Sequence, residues 1–128
     1  MSRTTYDTRF FVEHYYSRDS KVVKSTTEEI RQEKNKTISS IVIHEVYRLT
    51  LQKEGRQAAK LRTELMSKDF GILTVSRELA VVSAEIRQEH RIPMADSIIA
   101  ATAIFLKAVC ITDDPHISAI REVKTRWI

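Results

Sequence analysis

An α/β fold, with a parallel sheet lying between layers of helices, is what this sequence predicts. Short apolar runs alternate with longer helical patterns along the whole chain, as in parallel strands joined by helical crossovers. Val109, Cys110 and Ile111 form a strand that is apolar on both faces, the signature of a central parallel strand. The helix before it, Ile98 to Leu106, has Thr102 as its only polar residue and so is buried on most sides. The expected architecture has three layers, α/β/α, around a central parallel sheet of four to five strands. The 128 residues suit a single domain spanning 1-128.

Taken in order, Thr4 to Tyr6 is read as a short first strand ending at Asp7, although its composition is polar. Asp7 or Thr8 caps a helix whose apolar face is Phe10, Phe11, His14 and Tyr15. Ser20 to Lys34 reads as a polar surface helix anchored by Val22, Val23 and Ile30; Thr26 and Glu29 fit a capping box, so a break or a fresh start is expected there. Thr37 to Ile43 is a β-branched strand, followed at His44 by a helix with Glu45 in its first turn, ending at Gly55. Arg56 to Ser67 forms a second helix of a hairpin, with Ala58, Leu61 and Leu65 inward and basic residues outward. Phe70 to Val75 is a strand. Ser76 caps a helix from Arg77 to about His90, whose stripe is Leu79, Val82 and Ile86. After a break at Arg91 to Pro93 come the buried helix Met94 to Leu106 and the strand Ala108 to Thr112. A turn at Asp113 to His116, a helical turn at Ile117 to Ile120 and an edge strand at Val123 to Trp127 complete the chain.

Composition narrows the function. Hydrophobic residues make up 42% and charged residues 30%, ordinary values for a soluble globular protein. Only 2 Gly and 2 Pro argue against disorder and against a turn-rich all-β fold. A net charge of +4 is a mild lean towards anionic partners. The single cysteine, Cys110, excludes an internal disulfide and a zinc cluster, and reads as a small core residue. No apolar signal region opens the chain, and Lys107 interrupts a run too short to span a bilayer; the expected location is cytoplasmic, with no membrane partner. No glycine-rich phosphate loop is present, which argues against nucleotide folds of that type. Ser39 and Ser40 have no His–Asp set to make either a nucleophile.

Four carboxylates fall at strand ends or helix starts: Asp7, Glu45, Asp96, and Asp114 with Asp113 beside it. Each has an ordinary structural explanation. Acids offset the positive end of a helix dipole, and Asp114 before Pro115 is a good cap. In a parallel sheet, however, every strand-to-helix junction lies on one edge, where such folds bind ligands. Four converging carboxylates repel one another unless a counterion sits among them. Mg²⁺ or Mn²⁺ suits such an oxygen-rich set, and supports hydrolysis of phosphate esters.

At this point the chain resembles the PIN-domain family, particularly its short VapC-like toxin endoribonucleases. The resemblance spans nearly the whole chain. It rests on Y-D-T-R-F-F-V from Tyr6, I-S-S-I-V-I-H-E-V from Ile38, M-A-D-S-I-I-A-A-T-A from Met94 and V-C-I-T-D-D-P-H-I from Val109. None of the four is very specific alone; their order and spacing together are. The resemblance implies a metal-binding and catalytic set of Asp7, Glu45, Asp96 and Asp114. It sets Thr112 beside the site, on the substrate side, and leaves Asp113 as a secondary ligand. It further implies Mg²⁺ or Mn²⁺ as cofactor, RNA as substrate, a homodimer and an antitoxin protein that blocks the site. Two departures stand out. The first strand is shorter and more polar than is usual for the family. Arg9 stands where a small polar residue is more usual; it either contacts a substrate phosphate or points to solvent.

Other residues read as structural. His44 points away from the acids, and His14 and His90 show no ligand spacing. His116 lies near the proposed site and either assists it or is a surface histidine of a short helix, the safer reading. Lys53, Arg56, Lys60, Arg62 and Lys68 read as a solvated face rather than an RNA groove. Phe10, Phe11, Tyr15 and Tyr16 read as core or dimer contacts. The alternative to a nuclease is a catalytically weak or inactive module of the same fold that binds RNA or protein. A receiver-type phosphorylation site would need an acidic pair after the first strand, and none is there.

Overall fold

The computed structural model of the chain describes residues 3–128. Its elements are β1 (Arg3–Tyr6), α1 (Thr8–Tyr16), α2 (Ser20–Gln32), β2 (Lys36–Ser39), α3 (Ser40–Glu54) and α4 (Arg56–Asp69). They continue with β3 (Gly71–Leu73), α5 (Arg77–His90), α6 (Met94–Leu106), β4 (Ala108–Ile111), α7 (Pro115–Ser118) and β5 (Thr125–Arg126). All strands are parallel, in the order β3-β2-β1-β4-β5. This is the expected α/β architecture. Right-handed crossovers place α1 to α4 on one face and α5 and α6 on the other. The chain leaves β1 towards β2 and later returns to its other side at β4, so the topological switch point lies between β1 and β4. No helix among the described residues is long and apolar enough to cross a membrane.

The polar first strand proves to be the central one. Thr4, Thr5 and Tyr6 are all buried, and Tyr6 sits at the centre of an aromatic cluster. Its ring lies 4.7 Å from Phe10 and 5.3 Å from Phe70, and Phe11 meets Phe70 at 5.2 Å. Such tilted and edge-on pairs add to the burial of apolar area. The Tyr6 hydroxyl emerges from this cluster to donate to Glu29 Oε2 on α2 at 2.7 Å. Arg126 on β5 grips both oxygens of the same carboxylate at 3.0 Å. Burial raises the Glu29 pKa, but the hydrogen bonds from Arg126 and Tyr6 outweigh it, so the group stays below its ordinary value.

Several local expectations change. Ile41, Val42 and Ile43 belong to a helix, not to the strand, because Ser39 caps α3 by accepting from the Ile41 amide and the chain turns there. Val42, Val46 and Thr50 then form the buried stripe, and Glu45 lies in the second turn rather than the first. Helix α2 runs unbroken through the expected capping box. Thr26 Oγ1 bonds back to the Val23 carbonyl and to His14 Nδ1, while Glu29 is already engaged by Tyr6 and Arg126. In α4 the inward residues are Ala59 and Met66, whereas Leu61 and Leu65 are 58% and 49% exposed. Arg62 turns inward instead, stacking 4.3 Å over the Tyr15 ring and pairing with Glu54. The strands at both sheet edges are shorter than their apolar patterns suggest.

Glu29→Ala would strand the buried Tyr6 hydroxyl and free Arg126. It is expected to cost about 2–3 kcal/mol in urea unfolding. Adding Tyr6→Phe should recover part of that loss, because the unpaired hydroxyl goes with it. Additive losses would show that the pair does not act as a unit.

Candidate active site

Asp7 leaves the end of β1 at the switch point. Its backbone N–H donates to the Ile111 carbonyl at 3.1 Å, which continues the β1–β4 ladder by one residue. Its carboxylate makes no cap on α1 and is only 2% exposed. Thr112 Oγ1 donates to Asp7 Oδ2 at 2.7 Å and at the same time accepts the Asp114 amide at 2.9 Å. One hydroxyl therefore joins the ends of the two central strands and sets both acids beside each other. This is the physical content of a Thr-x-Asp sequence at this position.

Asp114 does cap α7: its Oδ1 accepts the His116 amide at 2.8 Å, with Pro115 at the first helical position. Asp96 lies in the first turn of α6 and is half-buried. His116 Nδ1 reaches Asp96 Oδ2 at 3.0 Å and Asp114 Oδ1 at 3.4 Å. One ligand atom from each of Asp96, Asp114 and His116 lies within 4.8 Å of the others. Glu45, from α3, accepts the Thr8 hydroxyl. Outside the cluster, Arg9 forks onto Asp113 with Nε and Nη2 at 3.0 and 2.9 Å.

The electrostatics record the convergence. Burial pushes the Asp7 carboxyl up to about 6; the Thr112 hydrogen bond opposes this, and the neighbouring Asp96 and Asp114 charges add to it. Asp96 is also raised, first by burial, with Asp114 and Glu45 adding to it and His116 opposing it. Asp113 is lowered by its pair with Arg9. All four sequence-derived acids thus face one region. Arg9 and Asp113 form its rim and engage each other. His44 is exposed, in line with its sequence reading. His116, read from sequence as a surface histidine of a short helix near the site, is half-exposed and lies against Asp96 and Asp114. The Asp-Pro-His order could have signalled it, since the cap at Asp114 draws the residue two places on back over the acid.

Size does not locate this site. A cavity of about 360 Å³ lies at the opposite edge, where β1 and β4 begin, lined by Arg3, Ala103, Lys107, Ala108 and Lys124 among others. Among the described residues, it is the carboxylate cluster that combines a buried, raised acid with converging donor atoms.

The PIN domain pattern matches residues 5–123, and the chain belongs to the PIN domain family. No curated protein sequence matches it significantly. Among solved structures it is similar to VapBC2 from Rickettsia felis, bound to a promoter DNA fragment: 17% identity, TM-score 0.76, 97% of each chain covered. It is similar to a toxin–antitoxin complex from Klebsiella pneumoniae at 24% identity and TM-score 0.75, over 98% of this chain and 99% of that one. It is also similar to VapC20 of Mycobacterium tuberculosis, a toxin that cleaves the sarcin–ricin loop, at 16% identity and TM-score 0.76, over 91% and 93%. These likenesses establish a shared fold.

The pKa of Asp7 has a consequence for metal-free protein. Its folded value, about 6, lies above its ordinary 3.8. Between these values the folded state holds a proton that the unfolded chain has lost, so stability falls as pH rises through this window and levels off above it. In chelator, Asp7→Asn should lack this slope. It should exceed the wild type at pH 7 by up to about 3 kcal/mol, converging with it near pH 4. Parallel pH profiles in urea unfolding would contradict the burial argument.

Proposed function

We propose that the chain is a Mg²⁺- or Mn²⁺-dependent endoribonuclease and the toxin of a toxin–antitoxin pair. The observation that carries this reading is the cluster of ligand atoms from Asp96, Asp114 and His116 next to the buried Asp7 carboxylate, which burial and the Asp96 and Asp114 charges raise. The donor chemistry fits a divalent cation: carboxylate oxygens converge at a switch point, and their repulsion is relieved by positive charge. PIN-family membership and structural neighbours described as toxin–antitoxin complexes support the same reading.

In this reading Asp7, Asp96 and Asp114 hold the ion, and Glu45 completes or orients the set from α3. A divalent ion there would supply Lewis acidity towards the phosphodiester and lower the pKa of water. Thr112 keeps one Asp7 oxygen engaged and so directs the other. Arg9 stands at the rim, where it would meet a backbone phosphate once it leaves Asp113; Asp113, held at both oxygens, serves Arg9 rather than the ion. An antitoxin would cover this open rim, and a second copy of the chain would complete a homodimer. An RNA substrate agrees with a cytoplasmic setting.

Asp96→Asn removes a charge from the cluster without changing side-chain size. It should keep the fold, read as an unchanged circular dichroism spectrum, but lose Mn²⁺-dependent cleavage of a mixed RNA pool, by about 10²-fold or more. Full activity in that variant would sink the assignment. Absence of any Mn²⁺ binding by the unaltered protein would favour the alternative, an inactive binding module of the same fold.

A further inference from the structure

We propose that His116 is a nitrogen ligand of the ion held by Asp96 and Asp114, and that it tilts this site towards Mn²⁺ over Mg²⁺. The inference rests on the metal-site reading above and adds one residue and a selectivity to it. His116 Nδ1 lies 3.0 Å from Asp96 Oδ2 and 3.4 Å from Asp114 Oδ1. Donor atoms bound to one ion at about 2.1 Å lie roughly 3 to 4 Å apart, so these separations are those of adjacent ligands. The three groups share a span of 4.8 Å.

The ring is carried to this point by the chain. Asp114 accepts the His116 amide, Pro115 opens α7, and Ile117 is fully buried behind it. The residue two after the acid is therefore held back over the acid. Without an ion, Nδ1 is hydrogen-bonded to Asp96 Oδ2. With one, Nδ1 offers its lone pair and the single ring proton sits on Nε2; the ring is about half exposed, so the proton exchanges through solvent.

Selectivity follows from ligand chemistry. Mg²⁺ is small and hard, keeps its waters and prefers oxygen. Mn²⁺ lies above it in tolerance for imidazole, and later transition ions more so. A purely carboxylate cluster would not discriminate in this way.

The test is Mn²⁺ and Mg²⁺ titration of the unaltered protein, His116→Ala and Asp96→Asn, with pulsed electron paramagnetic resonance of the Mn²⁺ forms. Nitrogen-14 coupling to Mn²⁺ is expected in the unaltered protein and absent in His116→Ala. Mn²⁺ affinity should fall at least about tenfold in that variant, while Mg²⁺ affinity changes less than about twofold. Mn²⁺ binding that Asp96→Asn weakens, but that shows no nitrogen coupling, would overturn the role of His116 and leave the carboxylate site standing. Equal losses of both ions in His116→Ala would overturn the selectivity. No Mn²⁺ binding by the unaltered protein would overturn both readings.

Discussion

A single hydroxyl holds the functional end of this molecule together. Thr112 donates to Asp7 and accepts from the Asp114 amide, at the seam where β1 and β4 part in opposite directions. The seam sets Asp7 beside Asp114. Two acids brought so close beneath the surface repel each other, and burial adds to the cost. The hydroxyl stabilises the charged form of Asp7 only partly, which is why its pKa still rises. A fold that keeps such an arrangement is offsetting its cost elsewhere, through the apolar α6–β4 unit packed beneath it. There Ile98 to Ala103 is buried without interruption, and Thr102 satisfies its own hydroxyl on the Ile98 carbonyl.

The charges around the seam fall into two arrangements. Inside, the Asp96 and Asp114 charges add to the cost of ionising Asp7, and those of Asp114 and Glu45 to that of Asp96. Outside, Arg9 and Asp113 neutralise each other in a forked pair on the exposed rim, where screening keeps its contribution to stability small. The contrast is chemically meaningful. The rim pair is already satisfied, while the inner cluster sets acids close together with one of them buried.

The opposite face of the sheet holds the aromatic cluster. Tyr6, Phe10, Phe11 and Phe70 pack there, and Glu29 ties that cluster to both α2 and β5. β1 therefore serves two masters through its alternation: Thr4 and Tyr6 face the aromatic core, while Thr5 leads towards Asp7 on the other side. This explains how so polar a strand is central. Its threonines are β-branched, its tyrosine hydroxyl is paired with Glu29, and the residue after it is an acid at the carboxyl end of the strands.

Strand and helix order, the caps at Ser76 and Asp114, the buried α6–β4 unit and the placing of Asp7, Asp96 and Asp114 at strand or helix ends were legible in the chain. Each is written in local periodicity or in a residue's preference for a helix end. Where two local signals competed, reading stopped short: Ile41 to Ile43 are β-branched, yet a serine cap and burial on Val42, Val46 and Thr50 made them helical. The phase of α4 was likewise decided by Arg62 finding two tyrosine rings. Partnerships across the chain were beyond local reading altogether. Arg9 meets Asp113 across 104 positions and His116 meets Asp96 across 20. The sequence by itself determined the order of strands and helices and the caps at Ser76 and Asp114, because side-chain periodicity and capping chemistry act over a few residues. Only the tertiary structure decided which residues touch, because that depends on how twisted strands and packed helices bring distant ends to one edge.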